Sequence, residues 1–140
     1  MRVQATDWVN SCGPVVEDVQ PEDKRLLLTT FLIDLDGQED LYLAEIAKAE
    51  AGETITDLYN HFIHVYMYPD RYPNQVVLED MSNTTAEDEA AGTPRRSFDL
   101  TLAQTKQLIM DWVEAKKQWR AQHPEPQDRP SAGSPPPPGS

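Results

Sequence analysis

The sequence predicts an α+β fold: an antiparallel β meander of about four strands, packed by one C-terminal amphipathic helix. Three observations carry this. Apolar and β-branched runs at 25–35, 62–68 and 76–78 are separated by turn residues. Thr101-x-x-Gln104 is a capping box. After it, Leu108, Trp112, Ala115 and Trp119 recur at steps of 4, 3 and 4 on one helical face.

Taken in order, RLLLTTFLIDL (25–35) is the most apolar run, and its length with the turn residues after it suggests a buried strand. Asp36-Gly37-Gln38-Glu39 then reads as a hairpin connection, with glycine supplying positive φ. Residues 40–50 can be read two ways. Ala44, Ala47 and Ala49 lean helical, whereas Leu41, Tyr42, Leu43 and Ile46 fit a strand; the short hairpin favours the strand. Thr54-x-x-Asp57 suggests a capped helical turn near 54–60, with Ile55, Leu58, Tyr59 and Phe62 on one face. FIHVYMY (62–68) has strand composition, 69–74 is a loop, and 76–78 is a strand pairing back on 62–68. Residues 81–97 read as a polar surface loop. The helix runs from the capping box to about Ala121, with Ile109 and Val113 widening its apolar stripe. Lys106, Lys116, Lys117 and Arg120 fill its polar side, mostly toward the end that suits cations.

Residues 124–140, PEPQDRPSAGSPPPPGS, hold 7 of the 12 prolines and no apolar side chain beyond Ala and Pro. Such a stretch buries too little to offset its ordering entropy, so a disordered Pro-rich tail follows a single acidic domain over 1–123.

Charge is divided unevenly. Residues 1–94 carry 19 Asp and Glu against 5 Lys and Arg, a net of −14; residues 95–140 carry 5 against 7, a net of +2. A small domain so negative repels nucleic acid and anionic membranes and suits a basic partner. No run approaches the roughly 18–20 apolar residues of a membrane span. The start, MRVQATDWVNSC, lacks the apolar segment of a secretory leader, so a cytoplasmic location is expected.

Three constellations bear on chemistry. Asp34, Asp36, Gln38, Asp40 and Glu45 fall at positions 1, 3, 5, 7 and 12 of an EF-hand loop. Yet Glu39 stands where that loop needs glycine, and strand-like sequence flanks it, so a turn is expected and no metal site. His61 and His64 lie on opposite faces if 62–68 is a strand, and Cys12 and His123 are the remaining soft ligands, short of a zinc set. Cys12-Gly13-Pro14 loosely suggests a thiol nucleophile, but no base–orienter pair accompanies it, and no phosphate loop, Rossmann glycines or nucleophile elbow is present. Neither catalysis nor a cofactor is expected, and a small-molecule ligand is not indicated.

The aromatics Tyr66, Tyr68 and Tyr72 flank the 69–74 loop. Tyr66 and Tyr68 are expected to pack beneath the final helix, with Tyr72 outside. The functional expectation is thus a non-catalytic acidic protein that neutralises or escorts a basic protein. An acidic meander with a terminal helix looks like the immunity proteins of bacterial toxin systems, a resemblance of layout and not of motif. The expected contacts are Glu79 and Asp80 at a strand end, Glu87, Asp88 and Glu89 in the loop, and Tyr72. The alternative is an accessory subunit that uses the helix face or the Pro-rich tail.

Overall fold

A computed structural model describes residues 1–8, 11–53, 58–59, 61–69, 71–81, 86–92 and 96–123. The chain opens with two strands, β1 (Arg2–Trp8) and β2 (Ser11–Glu17), paired antiparallel from Arg2–Glu17 to Trp8–Ser11. Two helices follow, α1 (Glu22–Leu35) and α2 (Glu39–Glu50). Then come β3 (Leu58–Tyr59), β4 (Ile63–Tyr66), β5 (Val76–Asp80), the short helix α3 (Ala86–Ala91), β6 (Ser97–Leu100) and α4 (Leu102–Gln122). Strands β3 to β6 form one antiparallel sheet in chain order, a true meander, so the α+β class stands.

Two of the expected strands are helices. In 25–35 the residues that become fully buried are Leu27, Leu28, Phe31, Leu32 and Leu35, a 3.6-residue repeat that places them on one side of α1. Glu22 and Asp23 suit its N-terminal dipole, and the Thr29 and Thr30 hydroxyls donate back to the Arg25 and Leu26 carbonyls. The 40–50 segment is helical as its alanines suggest, burying Tyr42, Ile46 and Ala49. Gly37 does take a positive φ of 87°, but it turns helix into helix and not strand into strand. The hairpin β1–β2 had no counterpart among the expected strands. Its Gly13 is required by close approach, since a Cβ there would meet the Trp8 ring at 2.9 Å.

The rest follows expectation more closely. Strands β4 and β5 pair as anticipated, with Val65 opposite Leu78 and Tyr66 opposite Val77. Within 81–97 a helical turn, α3, and the start of β6 replace the uniform loop. Of the helical turn expected near 54–60, Leu58 and Tyr59 instead form β3, pairing with Val65 and His64 of β4; residues 54–57 and 60, and the tail at 124–140, lie outside the described residues. Helix α4 has its capping box: Thr101 Oγ1 accepts from the Gln104 N–H, and Gln104 Oε1 accepts from the Thr101 N–H, both at 3.0 Å. Its stripe is Leu108, Ile109 and Trp112, all fully buried, with Ala115 and Trp119 at the margin; Val113 points outward instead.

Helix α4 lies on β1 and α2, and α1 packs on β2 and β4. One cluster of buried apolar side chains, including Val16, Leu28, Phe31, Ile46, Ile63, Leu78 and Trp112, joins both sheets and the three long helices. Among the described residues no helix is long and apolar enough to cross a membrane.

Candidate functional site

Strand alternation gives the β3–β6 sheet two unlike faces. Ile63, Val65 and Met67 of the β4 segment, with Val76 and Leu78 of β5, turn inward and are buried. His64 and Tyr66 face outward with Val77 and Glu79 across from them, and beyond the strand end Tyr68 continues the same row. No described helix covers this outer side at Tyr68, which is 45% exposed, or at Tyr72, 55% exposed. The expectation that Tyr66 and Tyr68 pack beneath the final helix is therefore corrected. They do share a strand face, but it is the one turned away from the core.

The rings stand in a row. His64 stacks on Tyr66 with centroids 4.1 Å apart and 19° between planes; Tyr68 follows 6.1 Å from Tyr66 at 26°. Tyr66 donates its hydroxyl to Glu79 Oε1 at 3.1 Å. The turn after β4 closes when the Tyr72 N–H donates to the Tyr68 carbonyl at 2.7 Å, which returns a third ring to the same place. Tyr66, Tyr68, Tyr72, Gln75, Val77 and Glu79 line an open concavity of about 490 Å³. Next to it, Gln75 donates to Asp99 Oδ2 at 2.9 Å, so a second carboxylate sits on the adjoining strand.

The residues expected to meet a partner are not all brought together. Glu79 and Tyr72 are, across the concavity. Asp80, one residue on, has the opposite orientation: it is buried, and Arg96 reaches its Oδ2 at 2.8 Å while also approaching Asp23 at 3.6 Å. Glu87 is exposed on α3, with Asp88 and Glu89 on the same short helix. Tyr66, Tyr68, Gln75 and Asp99 complete the face and were not singled out as contacts, although the alternation of Ile63, Val65, Val76 and Leu78 marks them as outward.

The acids of the EF-hand-like segment are engaged elsewhere. Asp34 is buried and accepts three backbone N–H groups, His61 at 2.9 Å and Phe62 at 3.2 Å on one oxygen and Ile63 at 3.1 Å on the other. Asp36 and Glu39 both receive the Lys116 ammonium, which also lies 5.2 Å from the Trp112 ring centre. Burial works to lower the Lys116 pKa, but the hydrogen bonds and charges of Asp36 and Glu39 outweigh it and raise the pKa on balance. Lys116 is thus not on the polar side of α4, and Lys106 reaches Glu50 of α2 at 3.5 Å. Nearby, burial and the Asp34 charge push Tyr42 up to about 12. His61 is exposed, Cys12 is buried in β2, and His123 stacks on Trp119. Among the described residues no group of three or more His, Cys, Asp or Glu is placed to hold a metal ion.

No protein family, curated protein or solved structure matches the chain.

Proposed function

We propose that the chain is a non-catalytic, cytoplasmic acidic binding protein whose outer sheet face receives a basic protein, which it neutralises or escorts. The observation that carries this reading is the concavity of Tyr66, Tyr68 and Tyr72 beside Glu79, which sets exposed aromatic area on a face that also carries acidic side chains. Tyrosine supplies contact area at low entropic cost, and a formal net charge of −12 steers a basic partner toward the molecule. Asp99 extends the acidic character across the sheet, and Glu87 adds to it on α3. An inhibitor of the immunity type has these properties.

The alternative, an accessory subunit, draws support from Met110 and Val113, which leave α4 with an exposed apolar pair at 46% and 39%. One comparison separates the two. The immobilised chain and a Tyr72→Ala/Glu79→Gln/Asp99→Asn variant are exposed to extract of the native host. The proposal expects a basic protein that is retained at low salt, released as salt rises, and lost by the variant. Equal retention by the variant, or release by Met110→Ser/Val113→Ser instead, contradicts it.

A further inference from the structure

We propose that the outer groove between α2 and α4 is the contact between two copies of this chain. It lies apart from the sheet face proposed for the basic partner. The two helices run antiparallel side by side, since Lys106 reaches Glu50 at 3.5 Å near one end and Lys116 holds Glu39 near the other. Helical spacing then fixes what borders the groove on its solvent side. On α4, Met110 and Val113 fall between those two lysines, and both are exposed. On α2, Leu43 stands in the row from Glu39 to Ile46 and Glu50 and is only partly buried, with Ala47 exposed one turn on. Leu43, Ala47, Met110 and Val113 thus make one apolar strip along the groove.

Charge selects the occupant. With a net charge of −12, most of the surface repels a second copy. The groove differs, because its two walls have opposite signs: Lys106 and Lys117 are exposed on α4, Asp40 and Glu50 on α2. Lys117 follows Lys116 and Asp40 follows Glu39, so these two stand level at one end, as Lys106 and Glu50 do at the other. A two-fold axis along the groove lays α4 of each copy on α2 of the other. Lys106 of one copy then meets Glu50 of the other, Lys117 meets Asp40, and the apolar strips close between them. Lys106 and Glu50 also pair within one chain, but loosely and in solvent, and an ammonium and a carboxylate each have capacity for a further bond. An axis across the groove would set Lys106 against Lys117 and Asp40 against Glu50, and like charges exclude it. The strip is about 18 Å long, the length of the twelve-residue α2. That is less than the roughly 800 Å² per partner of a standard interface, so the dimer is weak, with a Kd on the order of 100 μM.

Sedimentation equilibrium of the full chain, from about 10 μM to about 1 mM at physiological ionic strength, tests this. The average mass should climb from one chain toward two as concentration rises. Met110→Ser/Val113→Ser should weaken association about tenfold or more. Reversing one wall at a time tests the orientation. Lys106→Glu/Lys117→Glu and Asp40→Lys/Glu50→Lys should each stay monomeric alone, while an equimolar mixture of the two should associate. All these positions are exposed, and melting curves establish that the variants fold. A mass that stays at one chain throughout, or association unchanged by Met110→Ser/Val113→Ser, overturns the groove as the contact. A mixture that stays monomeric, or self-association of Asp40→Lys/Glu50→Lys alone, overturns the pairing of α4 with α2.

Discussion

Carboxylates do two different kinds of work at the α1–α2 junction and on the outer face of the sheet. At the junction Asp34, Asp36 and Glu39 are turned toward the protein: one ties the end of α1 to the start of β4 through three amides, and two hold Lys116 of α4. On the sheet, Glu79 meets a tyrosine hydroxyl and Asp99 a glutamine amide, among rings that solvent reaches. The junction acids join segments 27 to 80 residues apart in sequence and on different elements. The sheet acids join near neighbours on one surface. An acid count therefore overstates what is offered to a partner, and orientation decides which acids matter. Glu79 and Asp80 make the point within two residues, one outward and one bound to Arg96 inside.

This contrast predicts unequal mutational costs. The largest belongs to Lys116→Met, which leaves Glu39 buried beside Asp36 with no cation. The expected loss is about 3 kcal/mol, toward the low end for a broken buried pair because Asp36 is half exposed. Guanidinium denaturation measures it, and a loss below about 0.5 kcal/mol would place the pair among ordinary surface bridges. Asp34→Asn keeps one acceptor and the shape but loses the charge and an oxygen from the amide clasp; about 2 kcal/mol is expected in the same assay. Thr101→Ala removes only the α4 cap, at about 1 kcal/mol. Glu79→Gln and Asp99→Asn should change stability by about 0.5 kcal/mol or less. If either destabilises as much as Asp34→Asn, the division between the two regions fails.

The last expectation has no effect at neutral pH. The raised pKa values of Tyr42 and Lys116 mean that folding favours the protonated form of each. Their contributions are complete below the unfolded values, about 10 and 10.4. They fade as pH climbs through the folded ones, which for Tyr42 is about 12. Melting temperature should therefore fall between about pH 10 and 12. Tyr42→Phe should flatten part of that fall, and a slope unchanged in this variant would show that the ring is not the group concerned.

Much of α4 was legible because its determinants are local: a capping box four residues long and a stripe within three turns. The meander was half legible, since alternation in 63–66 and 76–80 reports directly on two faces. Residues 25–35 carried the right information in the spacing of Leu27, Leu28, Phe31, Leu32 and Leu35, but their apolar, Thr-rich composition pointed to a strand. The β1–β2 hairpin is obscured by Gly13 and Pro14, which argue against a strand until the Trp8 ring is seen lying over Gly13. For the candidate site, Tyr72 and Glu79 could be singled out from sequence. The row of rings could not, because its meaning depends on which side of the sheet α1 covers. The sequence places Lys116 among the solvated cations of α4, and only the approach of α2 to α4 makes it a buried one.

Recognition of a basic partner is proposed to centre on the outer face of the sheet. The most direct check is an amide-resolved NMR titration of the full chain with a heptaarginine peptide at low salt. The amides of residues 64–68, 75–79 and 99 should shift first and saturate together, while those of residues 34–39 stay in place. Shifts spread evenly over the acidic surface, or centred on α3 or the α1–α2 junction, would contradict it.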